Sequence, residues 1–109
     1  MTIFAVPLST DQAVGGLGKA RWMAVGTLQA GEISDWAEHL VEWDVLHDVG
    51  THGGHHARIV TFLKDNNVDH IVAGHIGEPM QHTLTKLGVA FTFVPERDPK
   101  AAVLAAFSE

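Results

Sequence analysis

Residues 68–80, VDHIVAGHIGEPM, decide the fold of this chain because they join a short apolar run to the start of a helix. Val68–Gly74 has the length and composition of a buried strand, and the glycines at its end predict a tight turn. Pro79 stands where proline is favoured in the first turn of a helix, and apolar residues then recur at helical spacing as far as Gly88. The stretch therefore predicts a strand–turn–helix unit of an α/β fold.

The sequence after this unit continues the alternation. Val89–Val94 predicts a strand, and Asp98-Pro99 opens a last helix that runs through Phe107. Before the unit, an amphipathic helix is predicted from His55 to about Asn67. Together these segments predict parallel strands joined by right-handed helical crossovers.

The first half of the chain has a different pattern. Thr2–Pro7 and Arg21–Leu28 predict strands, and the glycine-rich segment Ser9–Lys19 between them predicts a loop. Ile33–Trp43 is ambiguous, because its apolar spacing fits a helix whereas the short turn before it fits a hairpin. We favour a strand paired with Arg21–Leu28, followed by a loop over Asp44–Gly54. We therefore expect residues 1–109 to form a single α/β domain with a mixed sheet.

Composition excludes several classes of protein. Hydrophobic residues make up 46% of the 109 residues and charged residues 18%, which is typical of a globular fold rather than a disordered chain. The formal charge of −6 argues against nucleic-acid or anionic-membrane partners. There is no cysteine, no apolar run of about 20 residues and no signal-peptide pattern, so we expect a cytoplasmic protein without disulfides.

Histidine is the unusual residue type in this chain. There are eight, and four of them lie between His47 and His56. Ligands of open α/β sheets bind at the carboxyl ends of the strands, and the loop before the first helix and the end of strand Val68–Gly74 both reach that edge. His70 starts its strand and belongs to the opposite edge. The candidate metal ligands at the carboxyl edge are His47, His52, His55, His56 and His75.

The chemistry of this edge favours a metal or a metal-containing group. Neutral imidazole is a common ligand of zinc, copper, nickel and iron, and a helical turn would put His52 on one face with His55 and His56. Two predicted helix N-termini, near Gly53-Gly54 and Gly77, add N–H groups that favour anions. An anionic metal cluster would gain from both kinds of group.

Other interpretations stay open at this point. Each histidine could be a cap or a solvated surface residue, which would leave a regulatory interaction module without metal. A metallohydrolase could use three histidines and a bound water, with Glu78 or Asp48 as the base. A two-metal nuclease would need clustered carboxylates, and Asp11, Asp44, Asp48 and Glu78 are available, but Asp11 lies in a predicted loop rather than mid-strand and the acidic chain lacks a basic groove. Enzymatic activity is therefore uncertain, and a non-enzyme is favoured.

Three segments carry a resemblance to a known family: HGGHHAR at 52–58, VDHIVAGHIGEPM at 68–80 and LGV at 87–89, with a fitting start at Ile3–Pro7. The chain resembles, over nearly its whole length, the dinitrogenase iron-molybdenum cofactor biosynthesis family, which includes nitrogenase accessory proteins. The resemblance implies a three-layer α/β/α ribonuclease-H-like fold with a five-stranded sheet, order 3-2-1-4-5, and strand 2 antiparallel. It also implies a cofactor carrier for iron–molybdenum or iron–sulfur clusters, with a delivery protein as a possible partner.

The chain departs from the family pattern in its first loop. Members often carry His-Phe-Gly before a basic residue and alanine, whereas this chain has Gly16-Leu17-Gly18-Lys19-Ala20. The extra histidines could replace that contact or select a different single metal ion, such as zinc, iron, nickel or copper. Because cysteine is absent, a cluster would have to arrive preformed with its own sulfides. The candidate cofactor-binding residues are Lys19, Gly53, Gly54, Gly74 and Gly77.

A metal site built from these histidines predicts a specific pH dependence. Protons compete with metal for imidazole, whose ordinary pKa is about 6.5, so binding should weaken between pH 7.5 and 5.5. Calorimetric titration with zinc at both pH values measures this, and the double substitution His52→Ala, His75→Ala should abolish binding at either. Equal affinity at both pH values would assign the metal to carboxylates, and full affinity in the double variant would place the site elsewhere.

Overall fold

The computed structural model describes residues 1–46 and 52–107, with the main chain alone for residues 46 and 52–55. The first three strands form an antiparallel meander: β1 Thr2–Leu8, β2 Trp22–Gln29 and β3 Glu32–Leu40. A two-residue turn joins β2 to β3, and both of its residues, Ala30 and Gly31, have positive φ, at 54° and 80°. Positive φ at both central residues is the requirement of a type I′ hairpin turn, whose twist matches that of the strands.

This hairpin confirms the strand interpretation of Ile33–Trp43 as far as Leu40, and a bulge explains why the sequence was ambiguous. The register of β2 with β3 shifts because Leu28 pairs with Ile33 whereas Thr27 pairs with Asp35, so Ser34 is an extra residue. Ile33 and Trp36 therefore pack against the same core cluster although they are three residues apart. The bulge thus interrupts the alternation of the strand, so two side chains on the same face of the sheet have the i, i+3 spacing that is typical of a helix.

The remaining strands are parallel. β4 His70–Ala73 pairs with β1, and β5 Ala90–Phe93 pairs with β4. The sheet order is β3-β2-β1-β4-β5, with β2 antiparallel to both neighbours. The predicted mixed five-stranded sheet, with its order 3-2-1-4-5, is confirmed.

Four helices and one 3₁₀ turn complete the described residues. The 3₁₀ turn is Leu17–Lys19, and the helices are α1 Trp43–Leu46, α2 His52–Asp65, α3 Glu78–Leu87 and α4 Pro99–Phe107. None of these helices is both long and apolar enough to cross a bilayer.

The predicted loop over Asp44–Gly54 is wrong at both of its ends. α1 occupies its start, and α2 begins at His52 rather than at His55. Trp43 is 2% exposed and meets Phe62 of α2 edge to face, with ring centroids 5.6 Å apart. This long-range contact buries the start of α1, and no local sequence pattern predicts it.

Two hydrophobic clusters place helices on both faces of the sheet. On one face, Ile59 of α2 and Leu84 of α3 pack against Ala5 and Ile71 of the central strands. On the other face, α4 packs against β1, β2 and β4, through Ala102, Val103, Phe4, Val6, Ala24 and Val72. The layers are therefore α/β/α, and the central strands β1 and β4 are covered on both sides.

Gly26 is the position where this packing leaves no room for a side chain. A Cβ there would lie 2.6 Å from the ring of Phe4 and closer still to the carbonyl oxygen of Asp35. We expect Gly26→Ala to lower the free energy of unfolding by roughly 1–3 kcal/mol, the usual effect of overpacking, measured by urea denaturation. Gly15→Ala is the control, since its nearest neighbours would be at 3.6 Å, and it should change stability by less than about 0.5 kcal/mol. Equal effects of the two substitutions would contradict the packing argument.

The surroundings of His70 lead to a second prediction, which concerns the pH dependence of the free energy of unfolding. Its Nε2 lies 2.7 Å from Oγ1 of Thr92, and its ring packs edge to face on Phe107 with centroids 4.7 Å apart. Burial lowers the pKa of His70 below its ordinary value, because the charged imidazolium loses hydration. Above the unfolded-state pKa of about 6.5 both states hold neutral imidazole. As pH falls through that value the unfolded chain takes up more protons, so the folded state loses stability.

The expected result is a fall in the free energy of unfolding from pH 7.5 to pH 5.5 that is smaller in His70→Gln than in the wild type. Urea denaturation at the two pH values measures it. His82→Gln is the control, because His82 is exposed and should leave the wild-type pH dependence unchanged. If His70→Gln has the wild-type pH dependence, the destabilisation comes from another group.

Candidate functional site

A cavity of about 400 Å³ lies at the carboxyl edge of the parallel strands. Three segments form its walls: the loop after β1 that contains the 3₁₀ turn, the first half of α2, and the turn from β4 into α3. Its polar and sulfur-containing side chains belong to Lys19, His56, His75 and Met80, and glycines 16, 18 and 77 supply main-chain walls.

Hydrogen bonds between main chains join two of these walls. The N–H of Leu17 donates to the carbonyl oxygen of His75 at 3.0 Å, and the N–H of Gly74 donates to the carbonyl oxygen of Gly15 at 3.0 Å. Gly16 and His75 form an isolated parallel bridge. The loop therefore continues the parallel pairing of β1 with β4 past the strand ends, and this pairing ties the wall that contains Lys19 to the wall that contains His75.

The rest of the loop is held by residues distant in sequence. Arg97, which follows β5, pairs with Asp11 at 3.0 Å and accepts a hydrogen bond from the N–H of Val14 on its carbonyl oxygen. Hydrogen bonding from the Ser9 hydroxyl is the largest cause that lowers the pKa of Asp11, followed by the main chain of Ala13, and Arg97 acts in the same direction. Asp11 is thus an ionised structural anchor of the loop.

The electrostatic character of the cavity differs from that of the whole chain. None of the described residues that line it is an aspartate or glutamate, whereas the chain carries a formal charge of −6. Lys19 brings an ammonium group to the rim, and Gly77 is the N-cap of α3 without a side-chain cap. The first N–H groups of a helix have no intrahelical acceptor and form its positive end. The cavity therefore suits an anion, or a metal that is held by uncharged side chains. It suits a cation that requires carboxylate ligands less well.

The structure brings part of the predicted site together. His56, His75, Lys19 and Gly77 line the cavity. Gly74 borders it through its hydrogen bond to the loop and does not line it. Among the other predicted residues, His52, Gly53, Gly54 and His55 form the first turn of α2, and their contacts lie outside what the structure describes, as does His47 altogether. A shared site of His75 with His47, His52 or His55 therefore stays a prediction.

Sequence reasoning missed Gly16, Gly18 and Met80 as cavity residues. The glycine spacing in the first loop was only a weak signal, since no Lys-Ser/Thr pair opens a helix after it. Met80 has the helical spacing of a core position, and it is indeed 4% exposed and part of the core cluster. Its position one residue after Pro79, in the first turn of a helix that points at the cavity, was the signal that could have found it.

The other described histidines have different surroundings. His39 packs edge to face on Phe62, His70 lies at the opposite edge of the sheet, and His82 lies 3.9 Å from Glu78 on the outer side of α3. Among the side chains that the structure describes, those of residues 1–45 and 56–107, no group of three or more His, Cys, Asp or Glu is arranged to hold a metal ion.

The described carboxylates considered for catalysis do not line the cavity. Glu78 has a side chain that is 85% exposed and is not part of the cavity wall. Asp44 lies 3.7 Å from Arg21, and Asp11 pairs with Arg97. Asp48 is outside the described residues. No observation on the described residues favours a hydrolase or a nuclease.

Comparison with known proteins agrees with this fold. The crystal structure of PH0822 matches 97% of this chain and 89% of its own, with a TM-score of 0.72 and 17% identity. The NMR structure of TM1290 from Thermotoga, a NifB-like protein of the DUF35 family, matches 97% of this chain and 87% of its own, with a TM-score of 0.68 and 18% identity. At these identities the likeness concerns the fold.

A search among curated proteins finds no match. The family model described as dinitrogenase iron-molybdenum cofactor matches residues 1–109. The chain therefore belongs to the dinitrogenase iron-molybdenum cofactor family.

Proposed function

We propose that this protein is an accessory carrier that binds a preformed iron–molybdenum or iron–sulfur type cluster in the cavity between the first loop, α2 and the β4–α3 turn. The observation that carries the proposal is that His56 and His75, from two separate elements, line one cavity together with Lys19. Family membership supports a role linked to the iron-molybdenum cofactor.

The side chains that line the cavity fit a preformed cluster that the protein carries as cargo. Imidazole nitrogens can bind iron or molybdenum at positions that the cluster's own sulfides leave open. The Lys19 ammonium and the N-terminal N–H groups of α3 stabilise negative charge on the cluster. Because the chain has no cysteine, it cannot assemble a cysteine-ligated cluster itself. The volume of about 400 Å³ lies within the usual range of ligand sites, about 300–1,000 Å³.

Imidazole ligands suit a carrier. They hold a cluster less firmly than thiolates would, so a delivery partner with thiolate ligands can take it over. We propose that residues 1–109 act as a single cytoplasmic domain in this role, with His47, His52 and His55 as further ligands at the same edge. Glycines 53, 54, 74 and 77 would let the main chain approach the cluster closely.

The test is binding of isolated iron-molybdenum cofactor to the purified, untagged protein under anaerobic conditions. Iron and molybdenum that co-elute with the protein in gel filtration are measured for the wild type, His56→Ala, His75→Ala and Lys19→Gln. We expect each histidine substitution to weaken binding at least tenfold, since each removes a ligand, and Lys19→Gln to weaken it less.

His82→Ala is the matched control, because His82 is exposed on α3 and does not line the cavity. It should bind as the wild type does. Wild-type binding in both His56→Ala and His75→Ala would refute this site. Absence of binding by the wild-type protein would refute the carrier function.

A further inference from the structure

Met80 gives the cavity a third side chain that can bind a metal ion. It lies in the first turn of α3, lines the same cavity as His56 and His75, and is 4% exposed. A methionine has three rotatable side-chain bonds and a polarisable thioether, so it can repack to present its sulfur without moving the main chain. The cavity thus combines two imidazoles with one thioether.

This combination of donors limits which single metal ions the cavity can bind. Hard cations such as magnesium, calcium and manganese require carboxylate or carbonyl oxygens, and no carboxylate belongs to the described cavity wall. Imidazole suits zinc, copper, iron and nickel, whereas thioether selects soft ions and above all Cu(I). Copper in its reduced form is the ion that both donor types favour.

We propose that the cavity binds Cu(I) through His56, His75 and the thioether of Met80. This proposal deepens the metal-binding role proposed above and rests on the same cavity, but it names a single soft ion as a ligand. Lys19 is exposed at the rim, so its flexible side chain can point its ammonium into solvent, away from the ion. The formal charge of −6 attracts cations to the protein as a whole.

The first experiment is a titration of the purified, untagged protein with Cu(I), supplied anaerobically as Cu(I) and in competition with bicinchoninate. Met80→Leu removes the sulfur while nearly conserving the volume, so the fold should be retained. We expect at least a tenfold loss of Cu(I) affinity in Met80→Leu, in His56→Ala and in His75→Ala. Met23→Leu is the matched control, because Met23 is fully buried and does not line the cavity, and its affinity should equal that of the wild type.

The second experiment uses the composition of the chain. There is no cysteine and there are three methionines, Met1, Met23 and Met80, so a sulfur ligand of bound copper must come from one of these. X-ray absorption spectroscopy of the Cu(I) complex in a buffer without thiols should show nitrogen and sulfur scatterers. The sulfur scatterer should disappear in Met80→Leu and persist in Met23→Leu. Circular dichroism of each variant checks that the fold is intact.

Three outcomes would overturn the proposal: no Cu(I) binding by the wild type, full affinity in a folded Met80→Leu variant, or a copper site with nitrogen ligands only. These outcomes are independent of the carrier function. A wild-type protein that binds the isolated iron-molybdenum cofactor but not Cu(I) refutes the copper site alone. One that binds Cu(I) through Met80 but not the cofactor refutes the carrier function alone.

Discussion

The parallel pairing of β1 with β4 is the interaction on which the rest of the structure depends. Phe4 pairs with His70 and Ala5 with Ile71 at the centre of the sheet. Residues 4–8 of β1 and 71–73 of β4 are buried between α2 and α3 on one face and α4 on the other. Parallel strands need a long crossover connection, and here it contains the β2–β3 hairpin and α2. The same pairing sets the edge at which the cavity forms.

This pairing also extends into the site. The hydrogen bonds of Gly15 with Gly74 and of Leu17 with His75 continue it past the strand ends, so the first loop and the β4–α3 turn form one main-chain framework. A site on such a framework holds its side chains more firmly than one on free loops. Asp11, in the part of the loop that follows β1, pairs with Arg97 in the segment after β5. Asp11 and Asp44 are paired with arginines, and the described residues that line the cavity are neutral or cationic.

The two ends of the parallel strands have histidines of different character. His75 follows β4 and is exposed beside the cavity, where an imidazole can meet a ligand. His70 begins the same strand and is enclosed by Thr92 and Phe107, where burial favours the neutral ring. They are five positions apart in the sequence, and the direction of the strand places His75 beside the cavity and His70 at the opposite edge of the sheet. The alternation of strands and helices in the sequence was sufficient to make that assignment.

The sequence by itself determined the strands, the sheet order through the family resemblance, and the edge at which His56 and His75 lie, because hydrophobic periodicity and strand direction are local properties. The bulge at Ser34 and the helix at Trp43 could not be predicted from local patterns, because the first depends on the register with β2 and the second on the contact with Phe62 of α2. The same reason applies to Met80. Its helical spacing predicts a core position, and it lines the cavity because the first loop and α2 lie opposite the start of α3. A helical pattern reports that a side chain is turned inward, but whether it meets packed atoms or an open cavity depends on what the other elements place opposite it.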